Sequence, residues 1–340
     1  MSEEQEYTAD DYHTGQSARL CPGCGHTHIV AALKTALAEL NIPPRKLNLI
    51  AGIGCSGKTV AEVKSNGLHT LHGCAAPAAM GAQVANPEQT NIVLSGDGDS
   101  WAIGAGKMIA MLRTNFDSLY ICMNNGTYGL TRGQLSPTTQ PDSPTQWGLT
   151  SDIPPVDGIG LAMLGGATMV ARSFSAKREL LIEQIKAGIL HEGLAYLEVF
   201  SPCVTFMDHE GSHHSYKYAQ EHFTRFPKFS VMDIEADYPS EEDIDAELDG
   251  EGQKQMGLKF EYLDDMPEYD PTDLNQALQV WEKYWTQMGI IPIGLFYINE
   301  EQKSHHSRYY EQDKQPVALR DPGEVRPSEP DFETILQQFR

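Results

Sequence analysis

Two apolar runs, each ending in a turn rich in glycine and amide side chains, constrain the fold of this chain more than any other feature. Residues 91–95 (NIVLS) lead into Gly96-Asp97-Gly98, and 119–123 (LYICM) lead into Asn124-Asn125-Gly126, with a helix-like segment between them. Short apolar runs bounded by turn residues read as strands buried on both faces. Strand, helix and strand in succession bring both carboxyl ends to one edge of a sheet, where open α/β sheets bind ligands. Asp97 and the Asn125 side-chain oxygen are hard ligands of the kind Mg2+ uses alongside phosphate oxygens and water. Gly96, Gly98, Gly126 and Gly129 let backbone N–H groups approach phosphate closely. A Gly-Asp-Gly triplet alone also marks ordinary turns; followed by a second strand ending in NNGTYG, it points to a cation and diphosphate site.

The same alternation runs through neighbouring parts of the chain. Residues 47–51 (LNLIA) read as a strand, and 68–81 as an extended piece entering a small-residue helix. After a Pro-, Ser- and Thr-rich loop over 142–157 come a helix near 158–164, a strand at 168–171, a helix at 176–190 and a strand at 195–200. This order predicts an α/β fold with a doubly wound, mostly parallel sheet. Residues 20–210 are expected to form that domain. A polar arm, 1–19, precedes it and is expected to be mobile or to touch a partner. An acidic extension, 211–340, follows and is expected to wrap the domain or a partner. Sixteen Asp or Glu against two Lys between Asp233 and Asp273 read as solvated surface. Helical spacing resumes over 274–288, and 290–298 (IIPIGLFYI) has strand character.

Charge and composition exclude several classes of function. A formal net charge of -22 repels nucleic acid, and no basic run offsets it. No apolar stretch is long enough to cross a membrane, and the acidic start, MSEEQEYTADDYH, is unlike a signal peptide, so a cytoplasmic location is expected.

Six cysteines in 340 residues make no disulfide framework, so their spacing carries the meaning. Cys21 and Cys24 form a CPGC directly before a helical stretch, Cys55 sits in a glycine-rich turn after the 47–51 strand, and Cys203 follows the 195–200 strand. Four thiolates suit either zinc or a [4Fe-4S] cluster. A thioredoxin-like dithiol would need a strand before CPGC, where only the polar arm stands. The turn GIGCSGK lacks the loop length of a P-loop, despite its lysine. Cys122, inside LYICM, reads as a small core residue.

Six motifs in fixed order resemble those of the beta subunits of 2-oxoacid:ferredoxin oxidoreductases. They are CPGCGH (21–26), GIGCSGK (52–58), HGCAAPAAMG (72–81), the GDG and NN pair, YGLTRGQLSPTT (128–139) and PCVTF (202–206). The resemblance implies a thiamine diphosphate-binding fold of the diphosphate-binding type. It also implies oxidative decarboxylation of a 2-oxoacid, with electrons leaving through a [4Fe-4S] cluster to ferredoxin and the acyl group passing to coenzyme A, in either direction. Mg2+ would be held by Asp97, Asn125 and the Thr127 carbonyl, and the cluster by Cys21, Cys24, Cys55 and Cys203. Ile53, Gly54, Cys55, Ser56, His72, Gly96, Gly98, Asp99, Gly129 and Leu130 would line the cofactor, and Lys58 and His72 would contact substrate or the reacting centre. The 128–139 stretch is most similar to the 2-oxoglutarate-acting branch, which makes succinyl-CoA.

Two departures qualify the resemblance. Cys74 stands where the family often has Arg, and the acidic extension after Asp233 matches no motif of the family. A thiamine enzyme also needs a carboxylate for the pyrimidine ring, and no acid here sits in a motif suited to it; in the family it comes from an alpha subunit. Two other readings remain open from the residues alone: a subunit of a non-oxidative thiamine decarboxylase or synthase, and a protein with a structural zinc.

Overall fold

The computed structural model describes residues 6–141, 143–145, 147–225, 228–232, 257–261, 269–283, 291–309, 320–321, 323 and 326–338. In chain order, the elements that carry the site begin with α1 (Gly25–Glu39), β1 (Leu47–Ala51), β2 (Asn66–His69), α2 (Ala75–Ala85), β3 (Thr90–Gly96), α3 (Ala105–Thr114) and β4 (Ser118–Asn124). The short strands β5 (Thr127–Tyr128) and β6 (Gln134–Leu135) follow, then α4 (Gly158–Gly165), β7 (Met169–Phe174), α5 (Arg178–Leu190) and β8 (Leu194–Phe200). The remainder contributes α6 (Tyr216–His222), β9 (Phe223–Arg225), β10 (Lys228–Met232), β11 (Gly257–Glu261), α7 (Leu274–Trp281) and β12 (Ile291–Ile298).

The main sheet has the order β2-β1-β3-β4-β8-β7-β12-β9. The six strands from β2 to β7 are mutually parallel, and β12 lies antiparallel beside β7. Parallel strands are stable only when both faces are covered, and alternation along each strand serves both covers. Leu119, Ile121 and Met123 of β4 point into a core with Ile29, Leu33 and Leu37 of α1 and Leu181 and Ile185 of α5. Tyr120 and Cys122 point the opposite way, against Met108, Met111 and Leu112 of α3 and Ile159 and Ala162 of α4. Cys122 is thus a core side chain, as its surroundings in sequence suggest.

Two regions differ from expectation. The arm is anchored from residue 6 onward: Tyr12 is fully buried, its hydroxyl donating to the carbonyls of Leu37 (3.0 Å) and Ile42 (2.5 Å), and His13 forms a bridge with Val63. One aromatic ring in a polar stretch is enough to dock it. The residues after 210 are not a mere wrapping, because β12 extends the sheet beyond β7 and its Leu295 and Phe296 enter the two cores. Of the acidic block, 233–256 and 262–268 lie outside the described residues, while Gly257–Glu261 pairs antiparallel with β10.

Candidate active site

Chain direction through the sheet reverses between β1 and β3: β1 is followed outward by β2, whereas β3 is followed by β4 on the other side. Turns leaving such neighbours diverge and open a crevice at the carboxyl edge. Here the 52–57 turn after β1, the Gly96–Gly98 turn after β3 and the Asn124–Gly126 turn after β4 border an open cleft. Ile53, Gly54, Cys55, Ser56, His72, Gly96, Asp97, Gly98, Asp99, Asn125, Thr127, Gly129 and Leu130, all expected to line the cofactor or its metal, line this cleft. His26, Tyr128 and Thr131 line it as well. Tyr128 lies within the NNGTYG motif and His26 within CPGCGH, so both were within reach of sequence reasoning, but neither position carries a spacing that assigns it a role.

Asp97 is almost fully buried, and its Oδ2 accepts from Ser136 Oγ (2.5 Å) and Thr138 Oγ1 (2.7 Å). Burial pushes its carboxyl pKa up, while those hydroxyls and the backbone N–H groups of Asp97 and Asn125 pull it down by a smaller amount. Among the described residues it has no basic side chain as an ion-pair partner. A buried carboxylate without a countercharge is costly, and a divalent cation would supply one. Asn125 Oδ1 accepts from Thr127 N (3.1 Å), which turns the amide oxygen across the same turn. Gly126 has φ +66°, and a methyl there would also strike the His214 ring.

Gly98 allows a second close approach. A methyl at this position would lie 2.3 Å from the Tyr128 ring, across the cleft from β3. Gly98→Ala is therefore expected to cost about 1–3 kcal/mol as an overpacked site, or to push Tyr128 into the cleft. Thermal denaturation together with thiamine diphosphate affinity would register one effect or both; unchanged values in both measurements would contradict the packing.

Asp99 lines the cleft, but its carboxylate is engaged with the protein. Oδ1 accepts from Gly73 N (2.7 Å) and Ile53 N (3.1 Å), and Oδ2 from Ser95 Oγ (2.6 Å). His72 Nδ1 also lies 2.6 Å from Asp99 Oδ1, an ion-pair distance off the ring N–H axis rather than an aligned hydrogen bond. Asp99 thus ties three turns together and orients a histidine at the cleft wall. Lys58 requires a correction. It does not line the cleft: a short helical turn, Gly57–Glu62, carries it away, and Nζ donates to the Arg19 carbonyl of the arm (3.0 Å). Its charge does reach the site, where it pulls the Cys55 pKa down against the burial that raises it.

The four thiols expected to act together are brought together. Cys24 is the residue before α1, Cys55 sits in the turn after β1, and Cys203 lies beyond β8. Gly25 N donates to Pro202 O (3.3 Å) and Thr205 Oγ1 donates to Cys21 Sγ (3.3 Å), joining the CPGC segment to the 202–205 turn. A methyl at Gly129 would meet Cys203 Sγ at 3.3 Å and Cys55 Sγ at 3.8 Å. Burial is the larger cause that raises the pKa of Cys24, Cys55 and Cys203, Cys55 to about 11, and the charge of at least one other cysteine of the set adds to it in each case. The raised values keep these thiols protonated, so a metal bound here would have to displace their protons. Among the described residues, no three Cys, His, Asp or Glu side chains converge tightly enough for a single metal ion. His26, beside Cys24, is buried; its Nδ1 lies 2.5 Å from Ser201 Oγ, and burial lowers its pKa to about 4, so it is neutral.

Fold and cleft together define a thiamine diphosphate enzyme domain of the diphosphate-binding kind. Residues 52–199 match the family model described as the C-terminal TPP binding domain of thiamine pyrophosphate enzymes. Residues 259–314 match the C-terminal model of the pyruvate ferredoxin oxidoreductase beta subunit, so the region that carried no motif also belongs to this lineage. Subunit beta of 2-oxoacid:ferredoxin oxidoreductase 1 from Aeropyrum pernix is 33% identical over 96% of this chain and 95% of its own. The 2-oxoglutarate synthase subunit KorB of Methanocaldococcus jannaschii is 38% identical over 55% of this chain and 69% of its own. A solved structure of 2-oxoglutarate:ferredoxin oxidoreductase from Magnetococcus marinus, with 2-oxoglutarate, coenzyme A and succinyl-CoA bound, superposes with a TM-score of 0.73 at 28% identity, covering 99% of this chain and 97% of that one. The chain belongs to the family of 2-oxoacid:ferredoxin oxidoreductase beta subunits, which are thiamine diphosphate-dependent oxidoreductases. Among the described residues no helix is long and apolar enough to cross a membrane.

Proposed function

We propose that this chain is the beta subunit of an enzyme that converts 2-oxoglutarate, coenzyme A and oxidised ferredoxin to succinyl-CoA, CO2 and reduced ferredoxin. The observation that carries the reading is that Cys55 belongs both to the cofactor cleft and to the thiol set. A decarboxylase or synthase without a redox step has no use for that adjacency. Bound thiamine diphosphate supplies the carbanion chemistry by which a 2-oxoacid loses CO2. Asp97, Asn125 and the Thr127 carbonyl would hold Mg2+, and the open backbone at Gly54 would admit the diphosphate. His72, at the cleft wall beside Asp99, would contact the substrate or the reacting centre. Cys21, Cys24, Cys55 and Cys203 would hold a [4Fe-4S] cluster beside it, giving electrons a short exit.

The pyrimidine half of the site, with its carboxylate, would come from an alpha subunit. Names of relatives acting on 2-oxoglutarate, and the ligands of the Magnetococcus structure, support that substrate over other 2-oxoacids. Turnover of 2-oxoglutarate, pyruvate and branched 2-oxoacids by the reconstituted alpha–beta complex tests the reading. A kcat/KM for 2-oxoglutarate at least about tenfold above the others is expected, about 1.4 kcal/mol of discrimination, with no turnover by the beta chain alone. Preference for pyruvate, or steady turnover without a second polypeptide, would overturn it.

A further inference from the structure

The hydroxyls on Asp97 begin a longer buried chain. Ser136 Oγ and Thr138 Oγ1 both donate to Asp97 Oδ2, leaving the other carboxylate oxygen without a side-chain donor among the described residues. Thr138 Oγ1 is also 2.9 Å from Asn124 Oδ1, and Asn124 Nδ2 donates to Glu198 Oε1 (3.2 Å). Arg172, buried, donates from Nε to Glu198 Oε2 (2.6 Å) and from Nη2 to Asp157 Oδ2 (2.8 Å). Asp157 caps α4 by accepting from Ile159 N and Gly160 N. Ser136 and Asp157 are the two ends of one segment that contains no helix or strand among its described residues. Both ends are therefore fastened to a single polar chain whose first member is Asp97.

We propose that Ser136 and Thr138 are positioning residues for the divalent cation of this site, braced behind Asp97 by the buried chain through Asn124, Glu198 and Arg172. The inference rests on the reading of Asp97 as a cation ligand. Two donors on one oxygen fix the carboxylate's rotation and present its other oxygen, as supports behind metal ligands do. Thr138 has one hydroxyl proton and three oxygens within reach, Asp97 Oδ2, Asn124 Oδ1 and Ser136 Oγ. The carboxylate takes that proton, because hydrogen bonds to charged groups are the stronger.

The test uses the full-length protein in its alpha–beta complex, with thiamine diphosphate present and Mn2+ as the probe. Mn2+ affinity is read by electron paramagnetic resonance. Ser136→Ala and Thr138→Val are expected each to weaken Mn2+ binding about 10–100-fold, and Thr138→Ser to restore it. Unchanged Mn2+ affinity in both Ser136→Ala and Thr138→Val would overturn the inference. Asp97→Asn separates this failure from that of the underlying reading: if it binds Mn2+ as well as the unmodified protein, Asp97 is not the ligand. If it alone loses the metal, the cation site stands and only the role of the hydroxyls falls.

Discussion

Asp97→Asn abolishes thiamine diphosphate-dependent turnover while leaving the metal-free protein at least as stable as it was. The two halves of this expectation have separate causes. Turnover needs a charged oxygen on the cation, and an amide of the same shape gives only a weak dipole. Loss of an outer support of a metal ligand already costs 10–100-fold, so loss of the ligand's charge is expected to cost more than about a hundredfold in activity. Stability moves the other way because burial raises the carboxyl pKa in the fold above its unfolded value. A carboxyl with a raised native pKa holds its proton more tightly when folded. Its contribution is therefore fully present below the unfolded value, about 3.9, and is lost as pH rises through the folded value. At neutral pH the metal-free protein carries that cost, and Asn removes it. Thermal denaturation at pH 7 should thus show the variant level with or above the unmodified protein without Mg2+. Added Mg2+ and thiamine diphosphate should raise the melting temperature of the unmodified protein alone, by ligand linkage. A variant clearly less stable in metal-free buffer would mean that Asp97 is held as a structural anion.

The cleft was legible because its parts sit at strand ends, and strand ends are marked locally. Apolar runs such as 91–95 and 119–123 stop at glycine, aspartate or asparagine, and parallel order sends those stops to one edge, so the residues lining the crevice follow from one dimension. Side-chain direction beyond the turn does not follow. Lys58 shares a loop with Cys55 and Ser56, yet the helical turn Gly57–Glu62 rotates it out to the arm, where the Arg19 carbonyl receives it. Asp99 sits two residues from Asp97, and although it lines the cleft its carboxylate accepts from the protein's own amides. Ser136 and Thr138 lie within a recognised motif, but their partner is some forty positions away, and a hydroxyl pair carries no periodic signature. β2 was faint for a related reason: all four of its residues are exposed, so no apolar run announces it. β12 had the strand pattern but not its place, because an antiparallel partner across a long acidic insertion is set by the open edge of β7 rather than by nearby sequence.

Cys55→Ser is the substitution that separates a redox enzyme from its relatives without electron transfer. Serine keeps the volume of the turn and the neighbouring Gly54 and Ser56 that line the cleft, but it removes a soft ligand. The unmodified complex, purified without oxygen, is expected to be brown and to hold about four irons per beta chain. The variant is expected to lose most of the colour and iron, and its transfer of electrons to ferredoxin should fall by more than about a hundredfold, on the scale of a lost metal ligand. Thiamine diphosphate affinity should change much less. That contrast matters, since Cys55 touches both functions and only the thiolate function is removed. Cys122→Ser is the control: its thiol is fully buried in the core against α3 and α4, away from the other four, so it should cost about 1–3 kcal/mol of stability and leave the colour intact. A colourless unmodified complex with one zinc would replace the cluster by a structural metal. Full colour in Cys55→Ser would leave Cys21, Cys24 and Cys203 to hold the cluster without the residue that joins it to the cleft, and the short exit for electrons would be gone from the mechanism.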